Sequence, residues 1–378
     1  MAAHAKLSAS GAHRWLACPG SVAAEQAMPR GASSPYADEG SKAHELAEAA
    51  LAHGGNCYAF EGRYLEQYNA SPVEREMCDY VQEYVDFVRG LGGEQEYEQR
   101  VSYEQWVPGG FGTADVIAYT DRTLYVCDLK YGKGIRVDAE RNPQGMLYAL
   151  GALAERDGIE PVDRVVVVIH QPRLDHISEW ETTPEEIYQW ADWVSERAAL
   201  ALSGDAERVP GESQCRWCAA QPTCPALRDH TQRIVMRDFE DMDGAPAPDK
   251  LSDEQLRVVM DNKALIAGWL DAVEKHITER LTAGESFGGY KLVEGRSVRR
   301  WTDEQQAERV LSDSLGNDAF ERKLLPPAKA EKALGKAKAK DLQALIVKPA
   351  GKPVLAPEHD KRKAISGKIC PSEFDSIE

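Results

Sequence analysis

"GTADVIAYTDRTLYVCDLKYGKG", residues 112–134, contains two short apolar runs that carry acidic residues near their ends. Both runs are rich in β-branched and aromatic residues, so the stretch predicts two β-strands joined by a turn. Asp115 lies in the first predicted strand, and Asp128, Leu129 and Lys130 end the second. Because alternate side chains of a strand share one face, Asp128 and Lys130 should project together while Leu129 points into the core.

These charged strand ends have more than one interpretation. In the simplest, the aspartates only end strands and Lys130 pairs with one of them. In another, Asp115 and Asp128 hold a hard divalent cation while Lys130 steadies a nucleophile or a developing negative charge, as phosphodiester hydrolysis requires. A phosphate-binding loop at residues 132–134 is a weaker alternative, because the pattern G-x-x-x-x-G-K-[ST] is absent from the sequence.

The hydrophobic pattern on either side of this stretch places helices before and after the strands. Apolar residues at helical spacing or capping signals predict helices over residues 38–54, 71–91, 142–158 and 183–204. Further strands are predicted over 96–106 and 163–172. The order of helices, three strands, helix, two strands and helix predicts an α/β fold in which helices flank a mixed β-sheet.

The amino-acid composition limits the classes of protein to which this chain can belong. The 378 residues are 43% hydrophobic, which supports a substantial core, and the formal net charge of −17 argues against general coating of nucleic acid. Bound metal ions can supply local positive charge, so an acidic protein can still act on nucleic acid. The longest apolar run, residues 165–169, is far shorter than a membrane span, and the first ten residues lack a secretory signal. We therefore expect an intracellular protein without a membrane partner.

The carboxy-terminal third differs from the rest of the sequence in composition and charge. Residues 236–251 are acidic and rich in proline and alanine, as in a linker, and a long helix is predicted over about 252–283. Residues 321–368 carry thirteen Lys and Arg against five Asp and Glu. Such a basic segment is typical of a region that contacts phosphates or an acidic partner. It is equally typical of a solvated helix rich in Ala and Lys. The sequence predicts domains at 1–235 and 252–378, joined by the linker.

Four short motifs follow one another in a fixed order along the first of these domains. The helix GSKAHELAE carries a histidine, GTAD and DLK end two strands, and QGMLY opens the next helix; the residues concerned are His44, Asp115, Asp128, Lys130, Gln144 and Tyr148. As an ordered set, they resemble the RecB-like branch of the PD-(D/E)xK nuclease superfamily, over residues 7–227. The resemblance implies a restriction-endonuclease-like core.

The resemblance also implies a role for each motif residue. The metal ligands would be His44, Asp115, Asp128 and the backbone carbonyl of Leu129. Lys130 would be the catalytic lysine, and Gln144 and Tyr148 would support the site or the DNA. On their own, a histidine on a helix or a Gln and a Tyr four residues apart are common without any function.

Four cysteines have the spacing of a metal centre. Cys215, Cys218 and Cys224 form C-x2-C-x5-C, and Cys18 lies far upstream. Thiolates bind soft metals, and zinc is the usual ion at C-x2-C with a distant fourth ligand. Some members of the RecB-like branch hold a [4Fe-4S] cluster with one cysteine before the nuclease core and three after it. The resemblance therefore implies a cluster that joins the two ends of the core, with zinc as the alternative.

Together, these features predict a Mg²⁺- or Mn²⁺-dependent DNA nuclease. The resemblance to free-standing phage and prophage nucleases implies an exonuclease that acts on DNA ends in recombination or replication, in the cytoplasm of a bacterial host. A recombination or replication protein is a possible partner of the carboxy-terminal region. The alternatives are a non-catalytic DNA-binding or assembly module that retains the nuclease fold, and a zinc-bound regulatory or scaffold protein.

Overall fold

A five-stranded mixed β-sheet forms the centre of the protein in a computed structural model that describes residues 5–28, 35–236, 252–292 and 309–311. The strands are β1 (Glu94–Ser102), β2 (Phe111–Thr120), β3 (Thr123–Leu129), β4 (Arg164–Gln171) and β5 (His176–Thr182), and they lie side by side in sequence order. Only β3 and β4 pair in parallel among these described strands. The predicted α/β fold with a mixed sheet is confirmed.

Helices cover both faces of this sheet. Their bounds are α1 (Ala12–Ala17), α2 (Ser21–Gln26), α3 (Pro35–Ala52), α4 (Arg75–Leu91), α5 (Pro143–Arg156), α6 (Pro184–Leu202), α7 (Glu212–Cys215), α8 (Pro225–Met236), α9 (Asp253–Asp261) and α10 (Lys263–Thr282). One core cluster joins α1, α5 and α6 to the sheet, and a second joins α3 and α4 to the opposite face. Because helices cover both faces, β4 is buried from Val165 to Gln171, and its first five buried residues, 165–169, are all apolar.

The connection from β3 to β4 positions the candidate site. Parallel neighbours need a crossover, and α5 provides it by lying against the sheet. The helix begins at a strong amino-terminal cap: the Asn142 side chain accepts hydrogen bonds from the backbone N–H groups of Gln144 and Gly145, and Pro143 occupies the first turn. The first turn of α5 is thereby fixed beside the end of β3.

The long helix predicted after the linker is two helices in the structure. The region predicted as a single helix over about 252–283 forms α9 and α10, which are separated at Asn262. A capping box between Ser252 and Gln255 starts α9. Leu265 of α10 packs against Cys215 and Leu227, so this helix contacts the region of the three closely spaced cysteines.

The chain divides into two compact units, Met1–Val293 and Glu294–Glu378. All the named elements belong to the first unit, and in the second only residues 309–311 are described. Most of the predicted linker and the whole basic segment 321–368 lie outside the described residues, and the predicted domain bounds stay a prediction. None of the helices within the described ranges has the combined length and apolar character of a membrane span.

Candidate functional site

The titratable residues predicted from the motifs meet where the end of β3 lies beside the middle of β2. Asp115 is inside the ten-residue strand β2 (Phe111–Thr120), so the prediction that GTAD ends a strand is wrong. The two strands are antiparallel neighbours, and Val116 of β2 pairs with Cys127 near the end of β3. A hydrogen bond of 2.7 Å from the backbone N–H of Leu129 to Asp115 Oδ2 also joins them. Packing of α3 on this part of the sheet adds His44, so the predicted residues converge on one pocket.

His44 and Asp115 form a contact in this pocket. His44 Nδ1 lies 3.1 Å from Asp115 Oδ1. Burial disfavours the charged imidazolium, but the charge of Asp115 and its hydrogen bond outweigh burial and raise the pKa of His44 to about 9. Burial also opposes ionisation of Asp115, and the nearby His44 charge more than compensates, so the pKa of Asp115 is lowered. The two groups are therefore an ion pair.

Asp128 lies in a second group of contacts. Its Oδ1 accepts hydrogen bonds from Lys130 Nζ at 2.8 Å and from Gln144 Nε2 at 2.9 Å. Gln144 Oε1 accepts a second hydrogen bond from Lys130 Nζ at 3.1 Å, and Gln144 Nε2 also donates to the Tyr148 hydroxyl at 3.3 Å. The motif on α5 is thus connected to the D-x-K motif through Gln144.

The charge state of this second group follows from its burial. The Asp128 side chain is only 6% exposed, and desolvation raises the pKa of Asp128 although the Lys130 charge opposes it. Desolvation alone would lower the pKa of Lys130, but Asp128 and Asp115 raise it, so Lys130 stays protonated. Asp128 Oδ2 is 2.6 Å from Lys130 Nζ, yet this buried oxygen accepts no hydrogen bond of acceptable geometry.

Glu98 also belongs to the pocket, and the motifs do not predict it. Ligand atoms of His44, Glu98 and Asp115 all lie within 4.8 Å of one another, and Asp128 is not part of this tight group among the described residues. Burial, followed by the charge of Asp115, raises the pKa of Glu98 to about 7. In the sequence EQEYEQRVS of β1, Glu98 is one of three alternating glutamates, and nothing distinguishes it from the other two.

These residues fit a divalent cation. Carboxylate oxygens are the ligands that Mg²⁺ and Mn²⁺ prefer, and a histidine is compatible with Mn²⁺. Three carboxylates and an imidazole reach the pocket, and the buried Oδ2 of Asp128 lies 2.6 Å from the Lys130 ammonium. The fit therefore rests on the chemistry of this set of donor atoms.

The four predicted cysteine ligands come together at a second place. Cys18 follows α1, and it lines one cavity together with Cys215, Cys218 and Cys224. The Cys18 and Cys215 sulfurs accept backbone N–H groups from Val209 and Gly211, at 3.2 Å and 3.5 Å. Such N–H donors to cysteine sulfur are a feature that tunes iron–sulfur sites. The cavity fits a thiolate-bound metal centre.

The remaining described cysteines do not line this cavity. Cys57, Cys78 and Cys127 are buried free thiols in the core under α3 and α4, as expected for thiols without a metal. Cys78 Sγ lies 3.3 Å from the Cys57 carbonyl oxygen and donates a hydrogen bond to it. Cys370 lies outside the described residues.

The fold and the site define an α/β protein whose mixed sheet carries a His–carboxylate–lysine pocket and a cavity lined by four cysteines. A family model described as "Protein of unknown function (DUF2800)" matches residues 4–363, so the chain belongs to this family. A solved structure described as "Crystal structure of SSO0001" is 16% identical over 57% of this chain and 84% of that chain. Its TM-score of 0.28 carries no argument about fold or function.

Proposed function

We propose that this protein is a metal-dependent DNA nuclease with a restriction-endonuclease-like core, similar to the RecB-like branch of the PD-(D/E)xK superfamily. The observation that carries the proposal is the convergence of His44, Asp115, Asp128 and Lys130 at the junction of β2 and β3. An exonuclease that acts on DNA ends in phage recombination or replication is the proposed activity and setting.

Each residue of the pocket has a chemical task in this proposal. His44, Asp115, Asp128 and the Leu129 carbonyl hold the cation. A bound Mg²⁺ or Mn²⁺ polarises the scissile phosphate and lowers the pKa of a water molecule. Lys130 keeps its proton and faces the negative charge that grows on the phosphate oxygens. Gln144 holds the Lys130 ammonium and the Asp128 carboxylate in one geometry through two hydrogen bonds.

A [4Fe-4S] cluster is the proposed occupant of the cysteine cavity, and zinc is the alternative. Both would join Cys18 at the beginning of the core to the three cysteines at its end, a structural role that needs no electron transfer. Protein purified without oxygen should be brown and contain iron and sulfide, and Cys215→Ser should lose the colour and become less soluble. Colourless protein with stoichiometric zinc would contradict the cluster.

The nuclease proposal is tested by digestion of end-labelled DNA. Linear and circular substrates, single- and double-stranded, are incubated with the anaerobically purified protein in Mg²⁺, Mn²⁺ or EDTA. We expect metal-dependent loss of linear DNA only, and no cleavage by Lys130→Ala or Asp128→Ala. Lys133→Ala is the matched control, because Lys133 is close in sequence but exposed, 3.9 Å from Glu76, and should cleave normally.

Two outcomes would contradict this proposal. Equal cleavage by the wild type and Lys130→Ala would show that this pocket is not the catalytic site. No cleavage of any substrate with any metal would favour a DNA-binding or assembly module, whose working part would then be sought in the basic segment 321–368. Far-UV circular dichroism of each variant separates loss of catalysis from loss of folding.

A further inference from the structure

The backbone of β1 is distorted at Glu98. Its φ angle is +46°, in the left-handed region that is unfavourable for a residue with a side chain. The residues on either side keep their register, since Tyr97 pairs with Val116 and Gln99 with Ala114 of β2. Glu98 therefore lies opposite Asp115 in an otherwise regular ladder. A strained backbone at one position of a regular strand points to a functional constraint on that side chain.

No partner among the described residues accounts for this strain. Across the described ranges, no hydrogen bond or ion pair holds the Glu98 carboxylate, although it approaches His44 and Asp115. The negative charges of Asp115, Glu48 and Asp128 act on it, and the charge of His44 opposes them. The Lys130 ammonium is engaged by Asp128 and Gln144. Like charges that are this close to one another are unfavourable without a cation between them.

The donor atoms divide into two sets that share one residue. His44, Glu98 and Asp115 supply one set, within 4.8 Å. Asp128, whose side chain is 6% exposed, is held on the other side: Lys130 Nζ contacts both of its carboxylate oxygens, and Gln144 donates to one of them. Asp115 lies between the sets, because its Oδ1 contacts His44 and its Oδ2 accepts from Leu129 N–H, next to Asp128.

We infer that Glu98 is a cation ligand that forms, with His44 and Asp115, a position for a hard divalent ion separate from a second position between Asp115 and Asp128. The inference rests on the proposed nuclease function and deepens it. Two ions of this kind activate the attacking oxygen and neutralise the leaving oxygen in phosphodiester hydrolysis. The left-handed φ angle distinguishes Glu98 from Glu94 and Glu96 of the same strand, and among the described residues its carboxylate is the one on β1 that reaches His44 and Asp115.

Counting bound Mn²⁺ tests this inference without any DNA. Anaerobically purified protein that keeps its cysteine-bound centre is freed of divalent cations on a chelating resin and titrated with Mn²⁺, and the free ion is measured by electron paramagnetic resonance. We expect two ions per chain for the wild type and one for Glu98→Gln. Glu96→Gln is the matched control: it removes the same charge from the same strand, and Glu96 pairs in regular register with Ile117, so it should bind two ions. Asp115→Asn should weaken both positions.

Thermal unfolding provides a second measurement. In EDTA at pH 8, Glu98→Gln should be at least as stable as the wild type, because it removes a carboxylate repelled by Asp115. Addition of Mn²⁺ should then raise the Tm of Glu98→Gln less than that of the wild type. A Glu98 with a merely structural role would instead give a variant that is less stable in EDTA and binds the same number of ions.

The outcomes separate the inference from the proposed function. A wild type that binds one ion and cuts DNA would overturn the separate position and leave the nuclease proposal in place. An unchanged ion count in Glu98→Gln would overturn Glu98 as a ligand. A wild type that binds no Mn²⁺ and cuts no DNA would overturn both.

Discussion

Gln144 illustrates how one side chain without charge can organise several charged ones. Its amide donates to Asp128 and accepts from Lys130, so it fixes the distance between a carboxylate and an ammonium. Groups that orient metal ligands in this way typically contribute about 10- to 100-fold in activity, as an order of magnitude. Gln144 is therefore a positioning residue, and its contribution should appear in kcat.

The Gln144→Met variant loses all three side-chain hydrogen bonds, to Asp128, Lys130 and Tyr148, and keeps the length of the side chain. We expect kcat to fall about 10- to 100-fold, with KM for DNA nearly unchanged, in steady-state assays on end-labelled substrate. Gln189→Met is the control, since Gln189 forms an exposed hydrogen bond to Glu185 within α6. A KM effect without a kcat effect would instead assign Gln144 to DNA binding.

His170 makes the free energy of unfolding depend on pH. The side chain is 4% exposed on β4, its ring contacts Tyr84 and Phe87, and its Nδ1 has no hydrogen-bond partner among the described residues. Burial lowers its pKa to about 4. The folded protein therefore holds His170 neutral, while the unfolded chain takes up a proton near pH 6.5. The contribution to stability is present above about pH 6.5 and is lost as the pH falls towards about 4.

The His170→Phe variant should reduce this dependence. Between about pH 6.5 and 4, the free energy of unfolding of the wild type should fall by up to about 3 kcal/mol more than that of the variant. Urea titrations in EDTA at several pH values give this difference, and the comparison of slopes is independent of the absolute stability of the variant. Parallel curves for the two proteins would show that His170 does not titrate with folding.

At the level of single residues, the sequence predicts the pocket only in part. His44, Asp115, Asp128 and Lys130 each belong to a recognisable motif, and the strand order brings them together. Glu98 has no motif, because its role depends on a left-handed backbone that alternation of polar residues cannot indicate. The separation of Asp128 from the His44 group likewise depends on side-chain contacts and not on spacing.

At the scale of secondary-structure elements, packing of β2 against α5 requires the glycine of the G-x-x-D motif for a steric reason. A Cβ atom on Gly112 would lie 2.6 Å from Cε1 of Tyr148, the tyrosine of the Q-x-x-x-Y motif on α5. Two motifs that are separate in the sequence therefore depend on each other: β2 must lack a side chain where the α5 tyrosine packs. This contact keeps Tyr148, and through it Gln144, at its position beside the pocket.

Gly112→Ala should disturb both packing and catalysis. We expect a loss of about 1–3 kcal/mol in the free energy of unfolding from overpacking, with a lower cleavage rate because Tyr148 must move. Gly90→Ala in α4 is the control, since nothing among the described residues lies within 4 Å of the added Cβ and alanine favours a helix. Urea unfolding of both variants checks the prediction, which equal stability of the two would contradict.

The elements themselves are predictable where their patterns are long. The apolar run of β4 and the caps at Asn142 and Thr183 identify a strand and two helices from the amino-acid sequence alone. The six-residue helix α2 is not predicted, because so short a segment has little periodicity to detect. The break between α9 and α10 at Asn262 is not predicted either, since neither proline nor glycine marks it.

On the scale of the whole molecule, the cysteine cavity depends on the chain beyond the sheet. Leu265 of α10 is 5% exposed and packs with Cys215 and Leu227, and both Trp269 and Cys224 pack against this cluster. A protein truncated after Val293 retains the whole first unit. A protein truncated after residue 251 loses α9 and α10 and uncovers the apolar wall of the cavity.

These two truncations should behave differently. The protein that ends at Val293 should keep the metal content of the full chain and cleave DNA in a metal-dependent manner. The protein that ends at residue 251 should lose metal and aggregate. Gel filtration with iron and zinc analysis compares them. Equal metal retention by both would mean that α10 does not protect the centre.

The cavity lined by Cys18, Cys215, Cys218 and Cys224 can form only after the last of these cysteines has been synthesised. At about 5–20 residues per second of translation, Cys224 is made on the order of 10–40 s after Cys18. For most of that interval the segment with Leu7 and Trp15 has no α6 to pack against, since that helix is still to be synthesised. The beginning of the chain is thus among the last parts to reach its place, and metal delivery must follow synthesis of the core.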